Sequence, residues 1–504
     1  MEIKINETLL EECLSKVEQA RTWSPRLISK LENTIRSAED EDLFRLNPIQ
    51  WAHAKNIDEN EAIDLLLHSA KVGLFYMDWN VICPCCGMIM KSLRNLHGIR
   101  SENVCTVCFR KDRATLDDYV QVTFTLSPSV RLLRFHHPES LPLEDYCFKY
   151  LFERGARMLG GTMSVSEFLT TYKTHFSAFS PGERITVETE VLKPGVMYCN
   201  EVYSQKTIAF MINGEPAAKP QTLKIKLTGE RFEVPLPEIR PGEFHLGRKT
   251  IQSDFFYALH PGKIVLEFEQ ATTSKGALVV WGADAETAAT VPDAQFAPSL
   301  TAKRLFTNQT FHDLFRSEVF QESEGFGVKD VTILFTDLKG STQLYNRIGD
   351  LNAFALVREH YGVLSKAILN QHGAVVKTIG DAIMATFTCP EAALEAGLVM
   401  LQELRQLNKT SQYGDLILKV GIHKGAAISV NLNERIDYFG QTVNLASRVQ
   451  GMAGGDEIYL TDDIYSSAGV PELLQQSHSK VEPLQIELKG IEGAVNVYKV
   501  TCPN

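Results

Sequence analysis

Six polar side chains, spread over 112 positions in the last third of the chain, could together perform metal-assisted chemistry on a nucleotide: Asp337, Lys377, Asp381, Asp437, Asn444 and Arg448. Neighbouring carboxylates repel each other unless cations join them, so Asp337 and Asp381 predict a site for two Mg²⁺ or Mn²⁺ ions. Either aspartate alone, at the end of a strand, would be an ordinary solvated turn residue. The pair is therefore the stronger signal.

Lys377 and Asp437 can distinguish one purine from the other. Adenine has a hydrogen-bond acceptor at N1 and a donor at N6, which a lysine and an aspartate satisfy respectively, whereas guanine reverses both groups. Taken separately, the two residues would be ordinary surface charges. Together they predict a preference for ATP over GTP.

The elements that must position these residues form an alternating pattern. Val331–Phe335 reads as a buried strand, and Gly340, Ser341 and Thr342 open a helix whose unpaired N–H groups suit phosphate oxygens. A strand-helix-helix-strand-strand-helix-strand order predicts an α/β sandwich in which Asp337 and Asp381 lie side by side.

Four sequence blocks in this order resemble the catalytic domain of class III adenylyl cyclases: VTILFTDLKGST (Val331–Thr342), VVKTIGDAIMATF (Val375–Phe387), VGIHKG (Val420–Gly425) and DYFGQTVNLASR (Asp437–Arg448). The resemblance covers roughly 329–499. It implies the class III cyclase fold, a ferredoxin-like α+β sandwich, at the C-terminal end of a multidomain chain. It also implies that Leu338 offers its backbone carbonyl as a further metal ligand.

The same resemblance gives roles to three other residues. Asn444 and Arg448 are four positions apart in a predicted helix and share a face. By resemblance, Asn444 orients the ribose and Arg448 stabilises charge on the α-phosphate in the transition state, while Lys489 holds the terminal phosphates. Arg435 could assist, because it lies close to Asp437 in sequence.

The implied activity is that of an adenylate cyclase, a phosphorus–oxygen lyase that makes 3′,5′-cyclic AMP and pyrophosphate from ATP in signal transduction. In this family the metal-binding half and the adenine-reading half of each site come from different subunits, so a head-to-tail homodimer is implied. The alternatives are a guanylate cyclase and a degenerate cyclase kept as a nucleotide-binding or scaffold module. Gly454–Ile458 also resembles the GGDEF signature of diguanylate cyclases, but the surrounding blocks explain it as a glycine turn entering a strand.

Two CxxC pairs predict a structural zinc site. Eighteen residues separate Cys86 of the first pair from Cys105 of the second. Four thiolates, Cys83, Cys86, Cys105 and Cys108, can close tetrahedrally on Zn²⁺ as in a zinc ribbon, leaving no open position for catalysis. Cys85 is left over as a turn residue.

The rest of the chain divides by pattern into further modules. Between Asn47 and Phe75 two short helices around a turn resemble a helix-turn-helix or winged-helix unit. Eight acids against three bases between Asp40 and Asp78 favour packing or dimerisation over DNA binding. Later alternating runs such as VQVTFTL (Val120–Leu126), ITVETEVL and KIVLEFE predict an antiparallel β-sandwich with a helix near Val165–His175. Its aromatic residues could line a pocket, but a core is the simpler interpretation.

The predicted domains are a helical, winged-helix-like module, a zinc ribbon, a β-rich regulatory domain, a helical linker and the cyclase domain, at residues 1–78, 79–118, 119–298, 299–326 and 327–504. This layout resembles an uncharacterised N-terminal region that accompanies some bacterial cyclases. An unknown regulatory ligand or protein partner is implied, and the sequence does not reveal its nature.

Composition excludes some classes of function. The chain has 504 residues, 44% hydrophobic and 22% charged, which allows several globular cores. A formal net charge of −11 gives no general basic field for nucleic acid. The absence of a long apolar run and of a secretory signal pattern predicts a cytoplasmic protein without membrane insertion.

Overall fold

The computed structural model describes residues 4–107, 111–113, 115–117, 119–158, 160–229, 231–235, 242–246, 249–253, 256–284, 293–410, 416–488, 490–491 and 493–503. Among these residues, no helix combines the length and the apolar character needed to cross a membrane. The strands fall into an N-terminal three-stranded sheet, two sheets in the central part, a C-terminal eight-stranded sheet and three small two-stranded pairs.

The N-terminal helices are α1 (Glu7–Ala20), α2 (Leu27–Ser37), α3 (Asp40–Leu43), α4 (Pro48–Lys55) and α5 (Glu59–Lys71). Asn47 caps α4 by accepting from Ile49 N at 3.0 Å, and Asp58 caps α5 by accepting from Asn60 N at 3.0 Å. Asn56, with φ of 49°, ends α4 in the left-handed region. The two predicted helices are confirmed here, and the winged-helix comparison stays a prediction.

The first sheet has the order β2-β1-β5, with β1 at Phe75–Ile82, β2 at Ile89–Leu93 and β5 at Val120–Leu126. Strand β5 therefore pairs with β1 along its whole length and not with the later β-rich strands, with which the sequence grouped it. A second hairpin joins β3 (Glu102–Val104) and β4 (Lys111–Arg113). Short helical turns follow: 3₁₀ turns at 96–98, 134–136 and 138–140, α6 (Leu143–Asp145) and the π-helical turn α7 (Tyr146–Leu151).

The central part consists of two sheets that share one core, with the orders β16-β11-β10-β18-β8 and β13-β12-β17-β9. Phe210 of one sheet and Phe268 of the other are both fully buried in that core. The bounds are β6 (Arg157–Met158), β7 (Met163–Ser164), α8 (Val165–Tyr172), β8 (Lys173–Phe179), β9 (Arg184–Val191), β10 (Gly195–Glu201), β11 (Lys206–Ile212), β12 (Gln221–Leu227), β13 (Phe232–Glu233), β14 (Gly242–Leu246), β15 (Lys249–Ser253), β16 (Phe256–Leu259), β17 (Gly262–Gln270) and β18 (Gly276–Asp284).

The predicted helix near Val165 is present, but the prediction of purely antiparallel pairing is wrong. Strand β12 pairs with β17 in parallel, and β11 pairs with β16 in parallel. Parallel neighbours are joined by crossover connections, and the period-two alternation that revealed the strands carries no information about which strand lies beside which.

The segment that was expected to act as a helical linker is packed into the N-terminal core. It contains α9 (Ala302–Phe306) and α10 (Gln309–Leu314), whose Phe306 and Phe311 are almost completely buried. Arg304 Nη1 lies 2.5 Å from Glu59 Oε2 on α5. The segment is therefore held against the N-terminal helices along its length.

The C-terminal sheet has the order β20-β21-β19-β22-β24-β26-β25, with β23 paired to the far end of β22. Its elements are β19 (Gly325–Leu338), α11 (Ser341–Ile348), α12 (Asp350–Asn370), β20 (Ala374–Ile379), β21 (Ala382–Phe387), α13 (Pro390–Thr410), β22 (Leu418–Leu432), β23 (Arg435–Phe439), α14 (Gln441–Met452), β24 (Glu457–Thr461), α15 (Asp462–Tyr465), α16 (Val470–Gln476), β25 (Lys480–Glu487) and β26 (Ala494–Thr501). The predicted strand-helix-helix-strand-strand-helix-strand order is confirmed, as is the glycine turn before β24.

Strand β19 is buried on both faces. Leu334 and Leu338 pack into the core formed with α12 and α13, whereas Ile333 and Phe335 belong to the core that contains the N-terminal helices. Because alternate side chains of a strand point to opposite faces, one strand joins the two cores.

Candidate active site

The two predicted metal-binding carboxylates come together at one end of the sheet. Asp337 is at the end of β19, and Asp381 is in the two-residue turn between β20 and β21. Strands β19 and β21 pair antiparallel, and Ile383 N donates to Thr336 Oγ1 at 3.0 Å, which brings the turn beside Asp337. Burial and the neighbouring charge of Asp381 raise the pKa of Asp337.

The surroundings of Asp381 would suit a cation. Asp381 Oδ2 is buried and has no hydrogen-bond partner among the described residues. The turn is fixed by Tyr361, which donates to the carbonyl of Gly380, and by His360 Nε2, 3.3 Å from the carbonyl of Asp381. Burial, with the charge of Asp381, raises the pKa of Tyr345 to about 12. A buried carboxylate oxygen without a donor, beside a second carboxylate, fits Mg²⁺ or Mn²⁺.

Lys419 is a functional neighbour that the sequence patterns did not reveal. It lies opposite Asp337 in the β19–β22 register, and its Nζ is 3.8 Å from Asp337 Oδ2. Gln450 of α14 also lies beside Asp337. Strand register could have found Lys419 once β19 and β22 were paired, but Tyr345, His360 and Gln450 reach the site through tertiary packing alone.

The turn after Asp337 leads directly into a helix. Gly340 adopts φ of 73° and precedes α11, which begins at Ser341 as predicted. A side chain at Gly340 would meet no atom within 4 Å, so its left-handed backbone is what favours glycine there. The first N–H groups of a helix have no intrahelical acceptor, so Ser341 and Thr342 present donors next to the carboxylates. Leu338 pairs with Leu418, and its role as a carbonyl ligand stays a prediction.

Lys377 and Asp437 form an ion pair, with Lys377 Nζ 2.5 Å from Asp437 Oδ2. Lys377 follows an irregularity in the β20–β21 register, and Asp437 lies on β23, opposite Val430 of β22. The Asp437 side chain is only 8% exposed and also accepts from Tyr438 N at 2.7 Å, whereas the Lys377 side chain is 33% exposed. Elements 60 residues apart thus bring together the two residues predicted to read a purine edge.

Asn444 and Arg448 lie on the outer face of α14. Asn444 is exposed and Arg448 is half-buried. A Cβ on Gly490, whose φ is 72°, would come within 3.3 Å of the Arg448 guanidinium. Gln450, beside Asp337, follows Arg448 by two residues, which is a rotation of about 200° on a helix. The two carboxylates and Arg448 are therefore on different sides of α14 within one chain.

Two further predicted residues can be placed only in part. Arg435 is exposed and lines a cavity of about 540 Å³ together with Lys377. Lys489 lies outside the described residues. Its neighbour Gly490 is the residue that approaches Arg448.

Three of the four predicted zinc ligands form a buried cluster. The sulfur atoms of Cys83, Cys86 and Cys105 all lie within 4.8 Å of one another, and Cys86 Sγ is 3.6 Å from Cys105 Sγ. Gly87, with φ of 74°, turns the first knuckle and donates its N–H to the carbonyl of Cys83 at 2.9 Å. Cys108 lies outside the described residues, and Cys85 is not part of the cluster. Converging thiols on two hairpin turns fit a tetrahedral zinc ion.

Comparisons with known proteins match two stretches of the chain. Residues 326–501 match the family described as the adenylate and guanylate cyclase catalytic domain, and residues 11–254 match a family of unknown function (DUF5939).

Curated relatives match over the C-terminal part. An adenylate cyclase of Anabaena cylindrica is 30% identical over 34% of this chain and 36% of its own length. Adenylate cyclase 1 of Rhizobium meliloti is 28% identical over 34% of this chain and 27% of its own length. The chain thus spans about a third or less of these relatives. The solved structure of the adenylyl cyclase CyaB from P. aeruginosa is 25% identical over 36% of this chain and 97% of that one, with a TM-score of 0.32.

Proposed function

We propose that this chain is an adenylate cyclase that converts ATP to 3′,5′-cyclic AMP and pyrophosphate, since residues 326–501 match the adenylate and guanylate cyclase catalytic domain family. The observation that carries adenylate over guanylate specificity is the pairing of Lys377 with Asp437 at 2.5 Å. A lysine donor for adenine N1 and an aspartate acceptor for the N6 amino group are then available at one place. On binding, the base takes over contacts that the two residues make with each other in its absence.

The carboxylates of Asp337 and Asp381, with the Leu338 carbonyl, would hold two Mg²⁺ or Mn²⁺ ions. Such ions lower the pKa of the ribose 3′-hydroxyl and neutralise the triphosphate. Asn444 orients the ribose, and Arg448 donates to the α-phosphate as charge develops there. The N–H groups at Gly340–Thr342, with Lys489, bind the terminal phosphates. In-line attack of the 3′-oxygen on the α-phosphorus forms the cyclic ester as pyrophosphate leaves.

A head-to-tail homodimer is part of this proposal. Arg448 and Gln450, the residue of α14 that lies beside Asp337, are separated by about 200° of rotation around the helix. Arg448 and the Asp337 carboxylate of one chain therefore do not face the same phosphate. A second copy, related by two-fold symmetry, supplies the missing half to each of two equivalent sites.

The cysteine cluster is proposed to be a structural zinc site made by Cys83, Cys86, Cys105 and Cys108. Four thiolates leave no open coordination position, so the ion stabilises the N-terminal region without entering the reaction. Metal analysis of a Cys83→Ser/Cys86→Ser double variant checks this: zinc content should fall to background, and full retention would refute the site.

Regulation by the N-terminal region is supported by contacts on both sides of the segment that joins it to the cyclase domain. Val122 N of β5 donates to the carbonyl of Leu300 at 2.8 Å, and Val375 N of β20 donates to Gln309 Oε1 at 2.8 Å. Val375 is two residues before Lys377. The segment therefore touches both the N-terminal sheet and the strand that carries a base-reading residue.

The test is an assay of the purified full chain with ATP and with GTP, each with Mg²⁺ and Mn²⁺, and product identification by chromatography. The rate of cyclic AMP formation from ATP should greatly exceed the rate of cyclic GMP formation from GTP. Changing Lys377→Glu and Asp437→Cys should raise the GTP/ATP ratio of kcat/KM, whereas exposed Lys409→Glu should leave it unchanged. ATP binding without turnover would instead identify a nucleotide-binding scaffold. In the same assay an unchanged KM for ATP in Gln309→Ala would argue against the regulatory route.

A further inference from the structure

A cavity of about 510 Å³ lies in the N-terminal region, far in sequence from the cyclase site. Its walls come from α2, α4, the face of the first sheet and the segment after α7. Apolar side chains cover much of the wall, including Trp51, Ile82, Ile89 and Phe152. Small-molecule sites commonly have volumes of about 300–1,000 Å³ and this mixture of apolar walls with a few polar groups.

Two polar groups in this cavity lack partners within the part of the chain that the structure describes. Gln121 is only 4% exposed, lines the cavity, and its side-chain amide makes no hydrogen bond there. Glu153 Oε2 is buried and also has no partner. By contrast, buried Asn80 in the same wall donates to Thr123 Oγ1 at 2.8 Å and accepts from Ser92. An unpaired buried polar atom is costly, so Glu153 Oε2 points to a ligand that pairs with it, and the unbonded amide of Gln121 in the same lining is available to that ligand.

Three of the four cations that line the cavity are already engaged, and the fourth is Lys55. Arg45 Nη1 donates to the carbonyl of Tyr150 at 2.6 Å, and Arg154 Nη2 donates to the carbonyl of Phe44 at 2.6 Å. Lys149 Nζ is 2.8 Å from Glu41 Oε2. With three of these charges committed, and with the carboxylates of Glu41, Asp42 and Glu153 also in the lining, the cavity offers no cluster of free cations to a phosphate or another anion.

We propose that this cavity binds an uncharged nitrogen heterocycle of nucleobase or nucleoside size. The Gln121 amide presents one donor and one acceptor side by side, which matches the adjacent acceptor and donor on the edge of a base. Glu153 Oε2 accepts a further N–H from the ring or from its exocyclic amine. Trp51, Ile82 and Phe152 cover the ring with apolar surface. The site uses none of the residues of the cyclase centre, so it goes beyond the proposed activity.

The state of Glu153 agrees with a neutral ligand. Burial raises the pKa of Glu153 to about 7, although Arg154 and the backbone N–H groups of Gly155 and Ala156 act in the opposite direction. Near neutral pH the carboxyl group can therefore either accept or donate a hydrogen bond. A heterocycle offers both kinds of partner, whereas an ammonium ion offers only donors.

The experiment measures binding of adenosine, guanosine, cytidine and uridine to the full-length chain, each by titration calorimetry and by quenching of tryptophan fluorescence, since Trp51 lines the cavity. At least one nucleoside should bind. Gln121→Leu should weaken that binding at least about tenfold, and Gln121→Glu, which removes the donor while keeping the shape, should do the same. Exposed Gln19→Leu is the matched control and should bind as the wild type does. Thermal unfolding verifies that each variant is folded.

Three outcomes would overturn the proposal. One is that none of the four nucleosides binds. Another is that binding is kept in both Gln121 variants but lost in Lys377→Ala, which places the nucleoside in the cyclase site. The third is that inorganic phosphate or spermidine, and no nucleoside, competes for the Gln121-dependent signal, which would make the ligand an ion.

Discussion

Removing Lys377 should destabilise its surroundings more than removing the charge of Asp437, because burial of the two partners is unequal. In Lys377→Met the apolar stem is kept and the cation is lost. Asp437, whose side chain is 8% exposed, is then left as a carboxylate that, among the described residues, keeps only the hydrogen bond from Tyr438 N. In Asp437→Asn the amide oxygen can still accept from Tyr438 N, and Lys377, 33% exposed, can turn toward water.

The magnitude follows from two limits. Breaking a fully buried ion pair by removing one partner costs about 3–5 kcal/mol, whereas a fully exposed pair contributes about 0–1 kcal/mol. One partner here is buried and the other is one-third exposed, so Lys377→Met should cost roughly 1–3 kcal/mol and Asp437→Asn less than about 1 kcal/mol. The midpoints of the two ranges differ by about 1.5 kcal/mol.

Amide hydrogen exchange of the full-length chain measures this locally, which avoids treating a multidomain protein as a two-state folder. Peptides covering β20 and β23 should exchange faster in Lys377→Met than in Asp437→Asn. Exposed Lys409→Met controls for the loss of a surface lysine and should leave both strands unchanged. Equal protection of the two site variants, or weaker protection in Asp437→Asn, would refute the reasoning from burial.

Three other predictions concern assembly, metal binding and pH. Mixing inactive Asp381→Ala chains with inactive Arg448→Ala chains should restore roughly a quarter of wild-type activity. Half of the dimers then contain one chain of each kind, and each such dimer has one intact site out of two. No recovery of activity despite subunit exchange would argue against sites shared between subunits. Burial and the charge of Asp381 raise the pKa of Asp337, so the ionised Asp337 carboxylate destabilises the metal-free fold at pH 7. Asp337→Asn should therefore raise the metal-free Tm at pH 7, and this gain should disappear as the pH falls to about 4. The increase in Tm on adding Mg²⁺ should be smaller in Asp337→Asn than in the wild type. Glu153, whose pKa rises from 4.5 to about 7, costs stability as pH increases through that window, so Glu153→Gln should gain roughly 3 kcal/mol above pH 8 and nothing below pH 4, measured by unfolding across pH.

The sequence predicted the secondary structure around Asp337 and Asp381 well because its signals are local. A buried strand that ends at Asp337 and a tight turn at Gly380 are visible in short windows, and the order of elements brings them together. The pairing of Lys377 with Asp437 was implied by base chemistry before any geometry was known. Such inferences succeed where residue type, spacing and strand order agree.

What the sequence could not predict depends on long-range packing. Alternation identified Val120–Leu126 as a strand but did not show that it belongs beside β1, and it could not reveal the parallel β12–β17 pair. Tyr345 and His360 come near Asp381 only because helices pack over the turn. Gln121 reads as one of three polar residues that alternate with apolar ones along Val120–Leu126, and its lack of a partner is a property of the folded cavity.

The position of β19 gives a physical basis for coupling between the two halves of the chain. Ile333 and Phe335 are packed with the N-terminal helices, Leu334 is packed with α12 and α13, and Asp337 follows at the end of the same strand. Protein interiors are close-packed, so a rearrangement of the N-terminal core cannot be absorbed at this strand without moving side chains on both of its faces. A rearrangement of the N-terminal core would therefore act at β19, because the strand shared by the two cores also positions the proposed metal-binding carboxylate of Asp337.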